Sequence, residues 1–143
     1  KLAKDLGVLN SFFPINEIST NQKLLKYFPD KKLIELYKIS DFFVFPSLIE
    51  TYANVITEAM ASEIPVIISK APGCIDRIID SHDGLFLNDY SSNEIAKKIK
   101  LLDKNDELRK KIIKNAKVKS NNLNWTNVAK KHMNLYKSLF KYN

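Results

Sequence analysis

Short apolar runs alternate along this chain with segments in which apolar residues recur every three or four positions. The runs are rich in aromatic and β-branched residues, as buried strands are, and they lie at 42–46, 64–69 and 85–87. Segments with helical spacing lie at about 31–40, 54–63, 91–102, 105–119 and 125–140. A weaker strand is predicted at 15–20 and a short helix at 76–79. Strands that alternate with helices predict an α/β fold, with a doubly wound, Rossmann-like parallel sheet and helices on both faces.

Two acids flank the predicted turn between the first of these strands and the helix that follows. Pro46 has no backbone donor and ends the strand, so Glu50 falls in the loop. The helix is predicted to begin near Asn54, with Asn54 or Thr51 as its cap, which places Glu58 in its first turns. Ligands bind beyond the carboxyl ends of parallel strands, and helix starts favour anions such as phosphate. The two carboxylates are therefore predicted to share a ligand site, where they would accept hydrogen bonds from sugar hydroxyls or stabilise developing positive charge.

Composition narrows the class of protein. A chain of 143 residues with 45% hydrophobic and 27% charged residues predicts one domain with a core. A single cysteine, Cys74, excludes an internal disulfide and agrees with a cytoplasmic location. No apolar run approaches the ~20 residues of a membrane-spanning helix, and no residue cluster predicts a metal or another cofactor. The chain begins at Lys1 rather than methionine, so we expect it to be part of a longer protein.

The positive charge is concentrated in the last third of the chain. Residues 1–96 hold 9 basic and 13 acidic residues, net −4, whereas residues 97–143 hold 14 and 3, net +11. Lysines interleaved with apolar residues indicate helices that lie on a core with a solvated outer face. A peripheral contact of these basic helices with an anionic membrane, at its inner face, stays open as the alternative. Nucleic acid is not expected as a partner, because no recognition motif accompanies the charge.

Several segments, taken together and in order, resemble the carboxyl-terminal domain of the family 4 retaining glycosyltransferases, which have the GT-B fold. The matching residues are Leu36-Tyr37 before Ser40-Asp41, Phe45-Pro46-Ser47, Glu50, Glu58-Ala59-Met60-Ala61, Pro65-Val66, Gly73 with Asp76, Gly84-Leu85-Phe86 and Asn124-Trp125. The resemblance implies that residues 1–143 are a single, partial donor-binding domain, a C-terminal half-domain without the acceptor domain. It also implies a hexosyltransferase that moves a sugar from a UDP- or GDP-sugar to an unknown acceptor.

The resemblance also assigns roles to individual residues. It implies that Glu50 is catalytic and lies beside the anomeric carbon of the donor sugar, and that Glu58 binds the ribose hydroxyls of the nucleotide. The backbone after Glu50 is similar to the segment whose amides meet the sugar and the diphosphate. These donor-binding positions are Thr51, Tyr52, Ala53, Asn54 and Val55. Gly73 is expected to shape the sugar side of the cleft, although a plain turn glycine is the alternative.

Departures from the family pattern keep two other interpretations open. Thr51, Ala53 and Glu63 stand where the family usually has glycine, and a side chain there narrows the approach of the backbone to a ligand. The family's diphosphate-binding Arg and Lys lie upstream of the part that aligns, so this chain alone is expected to be inactive. The alternatives are a non-catalytic or degenerate nucleotide-sugar-binding module, and a doubly wound signalling or interaction domain. Asp76 is interpreted as a helix cap, with a sugar ligand as the alternative, and Trp125, Tyr136 and Phe140 as packing anchors of the last helix.

Overall fold

The computed structural model describes residues 2–11 and 31–140, and the predicted strand at 15–20 lies outside them. The chain divides into two compact units, residues 1–34 and 35–143. In the first unit, the described residues form helix α1 (Leu2–Asp5), a 3-10 turn (Leu9–Ser11) and the start of α2 (Lys31–Ile39). The candidate site lies in the second unit.

The described part of the second unit is built on a parallel sheet of three strands, in the order β1-β2-β3. The strands are β1 (Phe43–Phe45), β2 (Val66–Ile68) and β3 (Leu85–Phe86). Val44 pairs with Ile67, and Ile67 pairs in turn with Leu85. The three predicted strands and the α/β class are therefore confirmed.

Helices connect and follow the strands, close to the predicted positions. They are α3 (Asn54–Ala61), α4 (Ser92–Lys104), α5 (Asp106–Asn122) and α6 (Trp125–Leu139). Polar side chains begin the last three: Ser91, Asn105 and Asn124 each accept a hydrogen bond from the backbone N–H three residues on, at 2.9–3.1 Å. These starts follow from the sequence because a capping side chain needs only local geometry.

The core lies between the sheet and the helices α4 and α5. Ile67 and Leu85 from adjacent strands pack with Leu102 of α4 and Ile112 of α5, and all four are at most 1% exposed. Because side chains alternate along a strand, Ile67 points away from Val66 and Ile68, which are also fully buried. Burial of β2 on both faces explains its uninterrupted run of β-branched residues.

A buried ion pair joins the segment before β3 to α5. Asp83 is 2% exposed; it accepts a hydrogen bond from the backbone N–H of Ile79 at 2.5 Å and one from Lys119 Nζ at 2.9 Å. A buried carboxylate is tolerated because both oxygens have a donor. Asp83 thereby holds the chain that follows the candidate site against the last part of α5.

Two local predictions are wrong. The helix expected at 76–79 is a series of hydrogen-bonded turns, in which Cys74 N–H donates to Ala71 O and Arg77 N–H to Cys74 O, both at 2.9 Å. Asp76 therefore caps no helix and is exposed. Ile78 is buried beside Gly84, and the segment is too short to form a helix while this side chain keeps its buried position.

The start of α3 also differs from the prediction. Neither Asn54 nor Thr51 caps the helix; Ala53 holds the cap position in the left-handed region, at φ 47° and ψ 54°, and no side chain accepts a hydrogen bond there. Left-handed backbone costs a residue with a Cβ about 1–2 kcal/mol. Ala53 is buried, so the surrounding turn fixes this conformation against the local preference.

This strain gives a test of the fold. Ala53→Gly is expected to stabilise the protein by about 0.5–1 kcal/mol, because glycine adopts positive φ without the Cβ clash. The same change at Ala96, an exposed residue inside α4, is expected to destabilise by about 0.5–1 kcal/mol, since helical glycine loses more chain entropy. Urea unfolding of both variants measures the two free energies. Destabilisation of equal size at both positions would contradict the strained turn.

Candidate functional site

The loops that follow β1 and β2 meet through their backbones. Gly73 has φ +80°, and a Cβ built on it would lie 2.8 Å from the Thr51 carbonyl oxygen and nearer still to that of Glu50. Backbone atoms cannot yield to such a contact as a flexible side chain can. Glycine is therefore required at position 73 both for its conformation and for space, and it sets the position of the Glu50 backbone.

Glu50 is half-buried, and its charge acts on a neighbouring thiol. Burial raises the pKa of the fully buried Cys74, and the negative charge of Glu50 raises it further, although Arg77 and a hydrogen bond with Ser69 act in the opposite direction. The thiol therefore stays protonated near neutral pH, which argues against a nucleophilic role.

Glu58 is positioned by a hydrogen bond across to α2. Tyr37 Oη donates to Glu58 Oε2 at 3.3 Å, and burial together with the Glu58 charge and this bond raises the pKa of Tyr37 to about 12. Tyr37 is thus a neutral donor at physiological pH. Within the described part of the chain, Glu58 Oε1 accepts no hydrogen bond, so this oxygen can bind a hydroxyl group of a ligand.

Glu58 lies on the wall of an open cleft of about 560 Å³. Its described lining comes from the start of α3, the turn after β2 and the start of α6: Tyr52, Asn54, Thr57, Glu58, Arg77, Leu123, Trp125 and Val128. A cleft of this size is in the range of small-molecule sites. It combines apolar walls with a carboxylate, an amide and a guanidinium.

The structure brings only some of the predicted site residues to this cleft. Tyr52, Asn54 and Glu58 line it, whereas Glu50 and Thr51 immediately precede Tyr52 and contact the Gly73 loop instead. Ala53 is buried at the start of α3, and Val55 is half-buried in its first turn. If Ala53 and Val55 contact a nucleotide sugar, as the resemblance implies, they would do so through their backbone N–H groups.

Arg77 is a site residue that the sequence did not reveal. Its Nη2 donates to Thr57 Oγ1 at 3.1 Å, and its guanidinium carbon lies 4.1 Å from the centroid of the Tyr52 ring. Arg77 is separated by about twenty residues from both partners, and no local motif surrounds it. Only the parallel arrangement of β1 and β2 brings the three side chains together.

The last helix is not anchored as predicted. Trp125 is 87% exposed and Phe140 79% exposed, and Tyr136 is exposed and contacts the ring of His132 in the same helix, so within the described structure none of the three is buried in a core. No residue of α6 is buried. The amphipathic spacing correctly predicts helix α6, but spacing alone does not show which surface packs against the apolar face of that helix.

No described helix is long and apolar enough to cross a membrane. No group of three or more His, Cys, Asp or Glu side chains in residues 2–11 and 31–140 could hold a metal ion.

Curated relatives of the chain are glycosyltransferases. An N,N'-diacetylbacillosaminyl-diphospho-undecaprenol alpha-1,3-N-acetylgalactosaminyltransferase of Campylobacter jejuni is 28% identical over 109 residues, 76% of this chain and 29% of the relative. The capsular polysaccharide biosynthesis glycosyltransferase CapM of Staphylococcus aureus is 33% identical over 71% of this chain and 26% of its own length. The chain therefore spans less than a third of the length of these relatives.

A solved structure and a family model agree with these relatives. Anabaena HepE, solved in complex with UDP-glucose, superposes with a TM-score of 0.58 at 25% identity, over 60% of this chain and 24% of HepE. The fold is that of part of a GT-B glycosyltransferase. The model of the family "Glycosyl transferases group 1" matches residues 15–119. This match covers the strands, both acids and the Gly73 loop, and the chain therefore belongs to the group 1 glycosyltransferases.

Proposed function

We propose that this chain is the donor-binding part of a retaining glycosyltransferase, which transfers a sugar from a nucleotide sugar to an acceptor hydroxyl. The observation that carries the proposal is the position of Glu58. It lies on the wall of a cleft at the start of α3, and Tyr37 orients it at 3.3 Å, whereas no described residue donates to its other carboxylate oxygen. A ribose presents two adjacent hydroxyl donors, which suit a carboxylate.

The start of α3 is suited to bind the diphosphate of the proposed nucleotide-sugar donor. No side chain caps this helix, so its first N–H groups have no side-chain acceptor. Unpaired N–H groups and the positive end of the helix dipole favour a phosphate group. UDP-glucose is bound by the related HepE, which agrees with a UDP-sugar as the donor class.

Glu50 is proposed to act at the sugar. In the proposed reaction, the bond from the anomeric carbon to the diphosphate breaks, and a bond to the acceptor oxygen forms on the same face. The acceptor proton passes to the departing diphosphate. Positive charge develops on the sugar after the first bond begins to break and before the second has formed, and the Glu50 carboxylate would stabilise this charge. The tight contact between Gly73 and the Glu50 backbone would hold that carboxylate in place.

The whole activity is proposed to need parts of the protein that lie outside this chain. The matched segment covers less than a third of the length of each of these relatives, and an acceptor domain is expected in their additional length. Membership of the family favours a glycosyltransferase over a signalling domain. A degenerate, binding-only relative stays as the second candidate, because Ala53 and Glu63 hold positive φ where glycine would be unstrained.

A peripheral membrane contact is proposed for α6. From residue 108 to 143 the chain has ten basic residues and no acidic one. Within α6, exposed Met133, Leu135 and Leu139 accompany Lys130, Lys131 and Lys137. A basic helix with an exposed apolar face suits an anionic lipid surface. The Campylobacter relative is named for a diphospho-undecaprenol substrate, and a lipid-linked acceptor of that kind would place this enzyme at a membrane.

The role of Glu58 can be tested by binding. Glu58→Ala is expected to weaken UDP-glucose or GDP-mannose binding by about 1–3 kcal/mol, because it removes hydrogen bonds to a charged acceptor. Isothermal calorimetry measures the change. A UDP analogue without the two ribose hydroxyls should bind the wild type and Glu58→Ala equally. Glu107→Gln, at an exposed acid of α5, is the matched control and should bind as the wild type does. An unchanged affinity in Glu58→Ala would rule out the ribose contact.

The role of Glu50 requires the longer protein and its acceptor. Glu50→Gln is expected to slow transfer by about 100-fold or more while donor affinity changes only a few-fold, because the carboxylate acts mainly in the transition state. With an α-linked donor the product should be α-linked, which proton NMR of the anomeric signal reports. An inverted product would refute the retaining mechanism, and unchanged turnover in Glu50→Gln would refute the catalytic role.

The membrane contact can be tested with vesicles. The chain is expected to co-sediment with vesicles that contain phosphatidylglycerol but not with pure phosphatidylcholine. Replacing Lys130, Lys131 and Lys137 by Gln should weaken this binding by about 1 kcal/mol per lysine. Replacing Lys97, Lys100 and Lys104 of α4 is the charge-matched control and should have a smaller effect. Equal losses from both triple variants, or equal binding to both vesicles, would show that α6 forms no specific membrane contact.

A further inference from the structure

Arg77 is held in the candidate cleft by two contacts. Its Nη2 donates to Thr57 Oγ1 at 3.1 Å, and the guanidinium stacks on the Tyr52 ring at 4.1 Å. Thr57 belongs to the second turn of α3, and Tyr52 lies two residues before that helix. The guanidinium therefore lies beside the start of α3, in the cleft that Glu58 also lines.

The charge of Arg77 has no counter-ion in the described structure. Every described salt bridge joins other residues, and the hydrogen-bond acceptor that Arg77 does have is a neutral hydroxyl. Its Nε is buried and has no hydrogen-bond partner among the described residues. A half-buried guanidinium without an anion is costly, because lost hydration is not replaced. An anionic ligand would relieve that cost.

The surroundings of Arg77 indicate which anion fits. Arg77 is the one cationic side chain in the described lining of the cleft, and Glu58 in the same lining would repel a ligand that is anionic throughout. A suitable ligand thus carries hydroxyl donors at one end and concentrated negative charge at the other. A nucleoside diphosphate has this arrangement, and the planar fork of arginine matches phosphate oxygens.

We propose that Arg77 binds the diphosphate of the donor nucleotide and selects for a diphosphate over the bare nucleoside. This inference rests on the proposed function and adds a residue to it. Tyr52 and Thr57 are assigned as positioning residues, because they fix the guanidinium without a required contact to the ligand. As the bond to the sugar breaks, negative charge grows on the departing diphosphate, and Arg77 would stabilise it at the same point.

The test compares ligands with and without phosphate. Arg77→Gln is expected to weaken UDP binding about 10- to 100-fold, while uridine binding changes less than about twofold, because only the charge-assisted bonds are lost. Arg77→Lys keeps the charge without the fork and should recover part of the UDP affinity. Arg109→Gln is the matched control, since Arg109 is paired with Asp106 on α5 at 2.7 Å and lies outside this cleft. Calorimetric titrations of the 143-residue chain with UDP, uridine and inorganic pyrophosphate supply the affinities.

The possible results separate the inference from the proposed function. An unchanged UDP affinity in Arg77→Gln would overturn the inference alone, and so would equal losses for UDP and uridine, because those would show that Arg77 only supports the cleft wall. Pyrophosphate binding as tight as UDP binding would overturn the assignment to a nucleotide. A wild-type chain that binds neither UDP nor UDP-glucose would overturn the proposed function together with the inference. If circular dichroism shows that Arg77→Gln does not fold, the loss of UDP affinity in Arg77→Lys is used instead. The salt dependence of UDP binding to the wild type is measured beside it, since a diphosphate contact weakens as salt rises.

Discussion

The parallel pairing of β1 with β2 is the interaction on which the candidate site depends. Because Val44 lies opposite Ile67 in a parallel ladder, both strands end at the same edge of the sheet, and their following loops meet there. That meeting is close enough for the Gly73 backbone to touch the carbonyl groups of Glu50 and Thr51. An antiparallel pairing would send the two loops to opposite edges. Arg77 lies beside Tyr52, and Gly73 beside Glu50, only because of this parallel pairing.

Strands of two or three residues cannot hold such an edge by hydrogen bonds alone. The helices stabilise it, since Ile67 at the centre of the sheet packs with Leu102 and Ile112 from α4 and α5. The buried Asp83 extends this support, because its bonds to Ile79 N–H and Lys119 tie the chain that follows Arg77 to α5. The turn that carries Arg77 is thus fixed at one end by β2 and at the other by the ion pair of Asp83. Its backbone therefore has little conformational freedom and can position the Arg77 side chain.

The sequence predicted what depends on local pattern and missed what depends on tertiary contact. Apolar runs located the strands, and apolar residues at helical spacing located the helices, because both signals act within a few residues. The cap of α3 could not be predicted, because the left-handed turn at Ala53 is imposed by a buried environment. Arg77 was missed for a related reason: Thr57 and Tyr52 are distant in sequence. The family resemblance indicated the two acids, but not which oxygen Tyr37 would leave open.

The helix that carries Glu58 is bounded by residues in unfavourable conformations. Ala53 before it and Glu63 after it both have positive φ, and each conformation costs about 1–2 kcal/mol relative to a right-handed one. Glu63 forms an ion pair with Lys117, whereas at Ala53 no side-chain hydrogen bond caps the helix. A serine or aspartate cap with extended backbone, like Ser91 at the start of α4, would avoid this left-handed turn and would also accept hydrogen bonds from the first N–H groups of the helix.

The same cap would also close the helix start to a phosphate. The start of α3 has no side-chain cap and Arg77 has no acidic partner among the described residues, and both lie at one cleft. Each costs stability in the empty protein, and one diphosphate would satisfy both. Because independent elements, a helix and a turn from another loop, carry these deficits, chance exposure is a weaker explanation than a shared ligand. Glu58 Oε1, which accepts no hydrogen bond from a described residue, suits the same proposed ligand, because the ribose of a nucleotide would supply hydroxyl donors.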